Sequence, residues 1–144
     1  MRVLILRADA GGCAFYRAQE PARVVSEQFS EIDIRVATEA AVEASQDRTS
    51  HLTTVHEVKE DVDLIIVQRP LNHAFASMLE QARKQGIATV VELDDDFSSI
   101  HPSNLAYAAV QPEKDPGNNK LWLARTAGEA DLLTCTTEEL GKYN

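Results

Sequence analysis

The chain has 144 residues, of which 44% are hydrophobic and 26% charged, and its net charge is -9. This length fits one domain, which can bury enough surface to fold without a disulfide or a metal. The negative charge argues against nucleic-acid and anionic-membrane partners, because both require a basic face. No apolar run approaches the ~20 residues that span a bilayer. The two cysteines, Cys13 and Cys135, indicate reduced thiols in a cytoplasmic protein.

The first predicted strand is the apolar run from Val3 to Leu6, which suits a buried parallel strand. After a turn with Gly11 and Gly12, apolar residues recur on one helical face at Phe15, Ala18, Ala22, Val25 and Phe29. Pro21 interrupts this pattern, because it removes the hydrogen bond to the carbonyl of Arg17. We therefore expect a kink or a separate first turn, with irregular backbone beside Arg17.

Later apolar runs predict further strands separated by helices. The strands are expected at Ile32–Val36, Asp63–Gln68, Ile87–Leu93 and Asp131–Cys135, with a weak edge strand near Thr53–Val58. One helix carries Leu71, Phe75, Met78 and Ala82 on one face and ends at Gly86. A second covers Lys120–Glu129, with Leu121, Ala124 and Gly128 spaced for packing, and a capping box at Thr136–Glu139 begins a third. The stretch from Ser98 to Asn119 is predicted as an irregular loop with one helical turn near Leu105–Ala109.

Strands that alternate with helices predict a doubly wound parallel sheet, so the fold class is α/β and Rossmann-like, with one domain over residues 1–144. Ligands of such sheets bind at the carboxyl ends of the strands. The polar motifs fall at these ends: the loop after Leu6, Arg69, the run Asp94–Asp96, and Thr136.

The loop after the first strand is the first candidate site. Gly11 and Gly12 let backbone amides approach a ligand, and Arg17 can bind phosphate or carboxylate in a bidentate manner. The structural alternative is a tight turn with a solvated Arg17. The dinucleotide-binding and P-loop fingerprints are both missing from the sequence.

Asp94, Asp95 and Asp96 form the second candidate site. In an extended chain Asp94 and Asp96 face one side and Asp95 the other. They fit a divalent cation, hydrogen bonds to sugar hydroxyls or to Arg69, or a helix cap with surface charge.

Three further residues have a functional and a structural interpretation. Cys13 is expected at a helix start, which would lower its thiol pKa and suit a nucleophile, although the loop is too short for a phosphatase cradle. His101 could orient a substrate or be solvated. Trp122 fits the core better than a stacking platform.

Several segments, in order, resemble the N-terminal half of GT-B-type glycosyltransferases, especially divergent ones from actinobacteria and their bacteriophages. They are Gly11–Arg17, Pro21–Arg23, Val67–Pro70, Val91–Phe97 and Ala130–Thr137. The resemblance covers nearly the whole chain and implies an acceptor-side domain. It implies catalysis without a metal or another cofactor, a nucleotide-sugar donor and a sugar or glycan acceptor. Substrate-binding residues carried over or placed at the same edge are Gly11, Gly12, Tyr16, Arg17, Arg69, Asp94, Asp95 and His101.

The donor-binding half of that family has no counterpart in these 144 residues. A truncated enzyme would therefore show negligible transfer by itself, and its uncovered cleft face would favour a homodimer. The alternative is a non-catalytic module that binds a nucleotide, a sugar, a phosphorylated metabolite or a protein partner.

Overall fold

The computed structural model describes residues 1–38, 62–97, 100–104, 107 and 118–142. Its sheet contains β1 (Arg2–Arg7), β2 (Asp33–Thr38), β3 (Leu64–Gln68), β4 (Ala88–Leu93) and β5 (Leu132–Cys135). All strand pairs are parallel, and the order across the sheet is β2-β1-β3-β4-β5. The predicted α/β, doubly wound, Rossmann-like class is confirmed. The weak strand near Thr53–Val58 and most of the turn near Leu105–Ala109 lie outside the described residues.

Pro21 has the local effect expected of it. The first helical segment runs as α1 (Gly12–Ala14), a π-helical segment (Phe15–Gln19) and α2 (Glu20–Gln28). The amide of Glu20 donates to the carbonyl of Phe15, five residues earlier, which is the π-helical spacing. Pro21 then sits in the first turn of α2, where its missing N–H costs little. The irregular backbone beside Arg17 is therefore a π-helical turn.

The next helix, α3 (His73–Lys84), begins and ends with side-chain and glycine caps. The side chain of Asn72 accepts a hydrogen bond from the amide of Phe75. At the other end Gly86 has φ +75, and the amides of Gly86 and Ile87 close on the carbonyls of Arg83 and Ala82. Gly86 is thus the stop signal that its position predicted.

Helix α4 (Asn119–Glu129) packs on a different face from the predicted one. Leu121, Ala124 and Gly128 are exposed, whereas Leu123 and Thr126 are buried. The predicted face was wrong because a polar threonine was not expected to be buried. The hydroxyl of Thr126 donates to the carbonyl of Trp122 in the preceding turn, and this bond allows the side chain to be buried.

The last helix, α5 (Glu138–Gly141), has a different cap from the predicted box. Thr137 is the N-cap, and its hydroxyl accepts from the amide of Leu140. Thr136 instead donates to the carbonyl of Asp94. The cap is one residue later than expected, because Thr136 ties the end of β5 to the loop after β4.

The sheet separates two apolar clusters. The smaller one lies under the first helical segment and contains Val3, Ile5, Ala18 and Ala22. The larger one lies on α3 and α4 and includes Leu6, Ile65, Val67, Phe75, Leu79, Val91, Leu93 and Leu123. No described helix is both long enough and apolar enough to cross a membrane.

Candidate functional site

The strand order reverses between β1 and β3, so the loops after these two strands face each other at the carboxyl edge. Asp9 follows β1, and its Oδ2 pairs with Nη2 of Arg69, which follows β3. Its Oδ1 accepts a hydrogen bond of 2.6 Å from the amide of Gly11. One carboxylate therefore joins a backbone amide to a guanidinium at the switch point.

Arg69 is held in an uncommon backbone conformation, with φ +46. Its amide donates to the carbonyl of Glu92 at 2.9 Å, and this bond ties the turn to β4. Its side chain is 14% exposed, and Nε lies 3.5 Å from Oδ1 of Asp94. A non-glycine residue in the left-handed region costs of order 1 kcal/mol, and such strain is concentrated at functional sites. The turn thereby places one guanidinium between two carboxylates.

Asp94 is the more buried of these two carboxylates, with a side chain only 6% exposed. Neither of its oxygens accepts a regular hydrogen bond from the part of the chain that the structure describes. Of the roles considered for the acidic run, interaction with Arg69 is the one that fits Asp94. Asp95, the next residue, is exposed. Among the described residues, no group of three or more His, Cys, Asp and Glu side chains has an arrangement that could hold a metal ion.

Arg17 of the π-helical segment pairs with Glu92 of β4, through both Nε and Nη2 to Oε1. The hydrogen bond to Glu92 raises the pKa of Arg17. Glu92 is 8% exposed, and within the described residues its Oε2 has no hydrogen-bond partner. Glu92 was missed by sequence reasoning, although a charged residue inside an apolar strand was a usable signal.

Gln68 was missed as well. It is 2% exposed and lies directly opposite Glu92 in the register of β3 and β4. Its Oε1 accepts from the amide of Ala8 at 3.3 Å, while its Nε2 has no partner among residues 1–38, 62–97 and 118–142. Buried polar groups are normally satisfied. The unmatched atoms of Gln68, Glu92 and Asp94 therefore indicate a polar site that requires a ligand or ordered water.

The thiol of Cys13 departs from its predicted chemistry. The neighbouring carboxylate of Asp94 raises the pKa of Cys13, and partial burial acts in the same direction. The expected lowering by a helix start was wrong, because a nearby negative charge opposes formation of the thiolate. Cys13 is therefore a poor nucleophile at neutral pH.

The remaining predicted residues of the first loop adjoin Asp9 or Arg17 in the chain. Gly11 could not carry a side chain freely, because a Cβ there would lie 3.1 Å from Oδ1 of Asp9. Gly12 faces open space. Tyr16 is 74% exposed and meets Phe15 edge to face, with ring centroids 5.1 Å apart. An exposed aromatic pair thus stands next to Arg17.

His101 and Trp122 are engaged elsewhere. The Nδ1 of His101 lies 2.8 Å from the hydroxyl of Ser103 and accepts from the Ser103 amide at 3.2 Å, so the structure uses it in an exposed local turn. Trp122 is half-buried and contacts His73 edge to face at 4.8 Å, with Arg125 over its ring. It is neither a core residue nor a residue of the carboxyl edge.

Two grooves lie at opposite edges of the sheet. One of about 240 Å³ lies at the carboxyl edge, lined by Asp94, Asp95, Asp96, Thr136, Thr137, Glu139 and Leu140. The larger one, of about 630 Å³, lies at the amino edge beside α3. Its charged lining residues pair with each other, Glu80 with Lys84 and Arg83 with Asp131. The smaller groove is therefore the better candidate for ligand binding, because it contains Asp94, whose oxygens lack hydrogen-bond partners among the described residues.

Comparison with protein-family models finds no match for this sequence, and comparison with curated proteins finds none either. The functional argument accordingly depends on the residues and geometry of the carboxyl edge.

Proposed function

We propose that this chain is the acceptor-side domain of a glycosyltransferase, and that its carboxyl edge binds a hydroxylated acceptor. The sugar would come from a nucleotide-sugar donor held by a donor-binding domain. The observation that carries the proposal is Asp94: a buried carboxylate with unmatched oxygens, set beside Arg69 near the switch point of the sheet. The resemblance of Gly11–Arg17 and Val91–Phe97 to GT-B enzymes gives the same assignment.

The chemistry of the edge suits hydroxyl recognition. Carboxylate oxygens accept hydrogen bonds, and the unmatched atoms of Asp94 and Glu92 are acceptors that hydroxyl groups or water can satisfy. Tyr16 offers an exposed aromatic face, against which the apolar face of a sugar ring can stack. In this proposal the domain binds and orients the acceptor, while Cys13, with its raised pKa, takes no part as a nucleophile.

Saturation-transfer NMR with a panel of monosaccharides, oligosaccharides and nucleotide sugars tests the proposal. We expect signals from saccharide ring protons, and a loss of affinity of about tenfold, or about 1.4 kcal/mol, in Asp94→Asn and in Tyr16→Ala. Asp63→Asn is the matched control, because Asp63 is an exposed aspartate paired with Arg2 at the amino edge. Absence of saccharide signals at millimolar concentrations, or equal loss in the control, would contradict the proposal.

A non-catalytic binding module is the second candidate, because the unmatched polar atoms of Gln68, Glu92 and Asp94 support ligand binding without requiring a reacting group. Both candidates predict negligible transfer by these 144 residues. Expression of the complete reading frame that contains the chain separates them. Mass spectrometry of saccharides incubated with nucleotide sugars would show the gain of a sugar unit for a transferase, and binding without mass gain for a module.

A further inference from the structure

We infer that Asp9 is a specificity-determining residue: its carboxylate occupies the place that an anionic group would take at the switch point, so this edge admits uncharged hydroxylated ligands and rejects phosphorylated ones. That the ligand is a saccharide rests on the proposed function. The role of Asp9 toward anions rests on its own contacts.

Those contacts reproduce an anion-binding arrangement. Oδ1 of Asp9 accepts from the amide of Gly11 at 2.6 Å, and Oδ2 pairs with Nη2 of Arg69. A backbone amide together with a guanidinium is the donor set that proteins use for phosphate and carboxylate groups. Because Asp9 belongs to the chain, its effective concentration at this position is high, and a free anion must displace it.

The surrounding charges oppose a second anion. Arg17 is already paired with Glu92, and Arg69 faces Asp94 as well as Asp9. Three carboxylates therefore surround two guanidiniums. A phosphate monoester would add a charge of about -1.5 to -2 near these carboxylates and could not satisfy acceptor atoms such as those of Asp94. A hydroxyl group brings a donor without that charge.

Arg7 is the cation at this edge that could act differently. It ends β1, and its buried Nε has no hydrogen-bond partner among the described residues. This unpartnered nitrogen makes Arg7 an alternative contact for an anion, so the experiment treats it separately.

The test is a titration of the 144-residue chain with inorganic phosphate at constant ionic strength, followed through the backbone amide signals of Gly11 and Gly12. We expect no saturable shift in the wild type. In Asp9→Asn, which retains an acceptor for the Gly11 amide but releases Arg69, we expect saturable shifts and at least about tenfold tighter phosphate binding. Asp63→Asn should behave as the wild type, because it removes an equivalent charge at the amino edge.

Three results would overturn the inference. One is wild-type phosphate binding as tight as in Asp9→Asn. Another is a gain in Asp9→Asn that disappears when Arg7→Gln is added, which would place the anion at Arg7. The third is equal wild-type affinity for a bound saccharide and its phosphate ester, a comparison that needs no variant to fold. If no saccharide binds but Asp9→Asn gains phosphate binding, the proposed function fails and the role of Asp9 stands.

Discussion

Arg17 and Glu92 are 75 residues apart, yet the Nε of Arg17 donates directly to Oε1 of Glu92. This pair joins the π-helical segment to β4, the strand next to the edge strand β5. Arg17 lies in the π-helical segment that precedes Pro21. The irregular backbone associated with this proline is therefore next to the Arg17–Glu92 ion pair of the candidate site. The guanidinium assigned to ligand binding from the sequence is thus engaged by a carboxylate of the chain itself.

Removing Arg17 should therefore weaken the fold. We expect Arg17→Met to lower the free energy of unfolding by about 2 kcal/mol, because it leaves Glu92 buried without its cation. Urea denaturation measures this. Arg23→Met in α2 should leave the free energy of unfolding close to that of the wild type, since Arg23 and its partners are exposed. The double variant Arg17→Met/Glu92→Gln should lose less stability than the sum of the losses in the two single variants. A loss equal to that sum would argue against an interaction between Arg17 and Glu92.

The backbone of Arg69 allows strain and charge to be separated. Both Arg69→Ala and Arg69→Gly remove the cation beside Asp94, and we expect each to cost about 2–4 kcal/mol. Glycine should be milder than alanine by about 1 kcal/mol, because it accepts φ +46 without strain. Chemical denaturation of both variants decides this. An alanine variant as stable as the glycine variant would mean that the turn relaxes at no cost.

The thiol of Cys13 should react slowly despite its exposure. Asp94 raises its pKa, so less thiolate is present at a given pH, and Asp94→Asn should shift the pH profile of alkylation to lower pH. Rates of alkylation by iodoacetamide test this when they are measured between about pH 6 and 10, an interval that includes the ordinary thiol pKa of about 8.5. A Cys135→Ser background isolates the signal. An unchanged profile in Asp94→Asn would show that Asp94 does not control the thiol.

Asp131 should make stability depend on pH at the amino edge. Its Oδ2 accepts from the hydroxyl and the amide of Thr89, both at 2.8 Å, and these bonds lower the pKa of Asp131. The ionised form thus stabilises the folded state above the unfolded pKa of about 3.9, and this contribution is lost as the pH falls through the lower folded value.

At neutral pH we expect Asp131→Ala to cost about 1–2 kcal/mol, because the amide of Thr89 loses its side-chain acceptor. The difference from wild type should shrink below about pH 4 in thermal melts, since protonation removes the same interaction. Asp33→Ala gives the baseline for an exposed aspartate at the start of a strand. A difference that stays constant from pH 7 to the acid limit, about pH 2, would exclude this linkage.

Local patterns in the sequence determined the elements of the fold. Short apolar runs such as Val3–Leu6 specify buried parallel strands, the positive φ at Gly86 ends a helix, and the missing amide hydrogen of Pro21 distorts the backbone before it. Each of these effects acts over a few residues, so the spacing of residue types is enough to predict them.

Long-range pairing decided the site. Sheet register brings Gln68 opposite Glu92, and the strand order brings Asp9 against Arg69. These contacts join residues far apart in the chain, so nothing in their local spacing specifies which charge meets which. The same holds for Cys13, whose pKa is raised by Asp94, a residue far away in the chain. The sequence by itself determined where polar groups gather, at the carboxyl ends of the strands. Only the tertiary structure decided that the guanidiniums are neutralised and that buried acceptor oxygens remain, because interaction energies between charged groups depend on distances and burial that the fold creates.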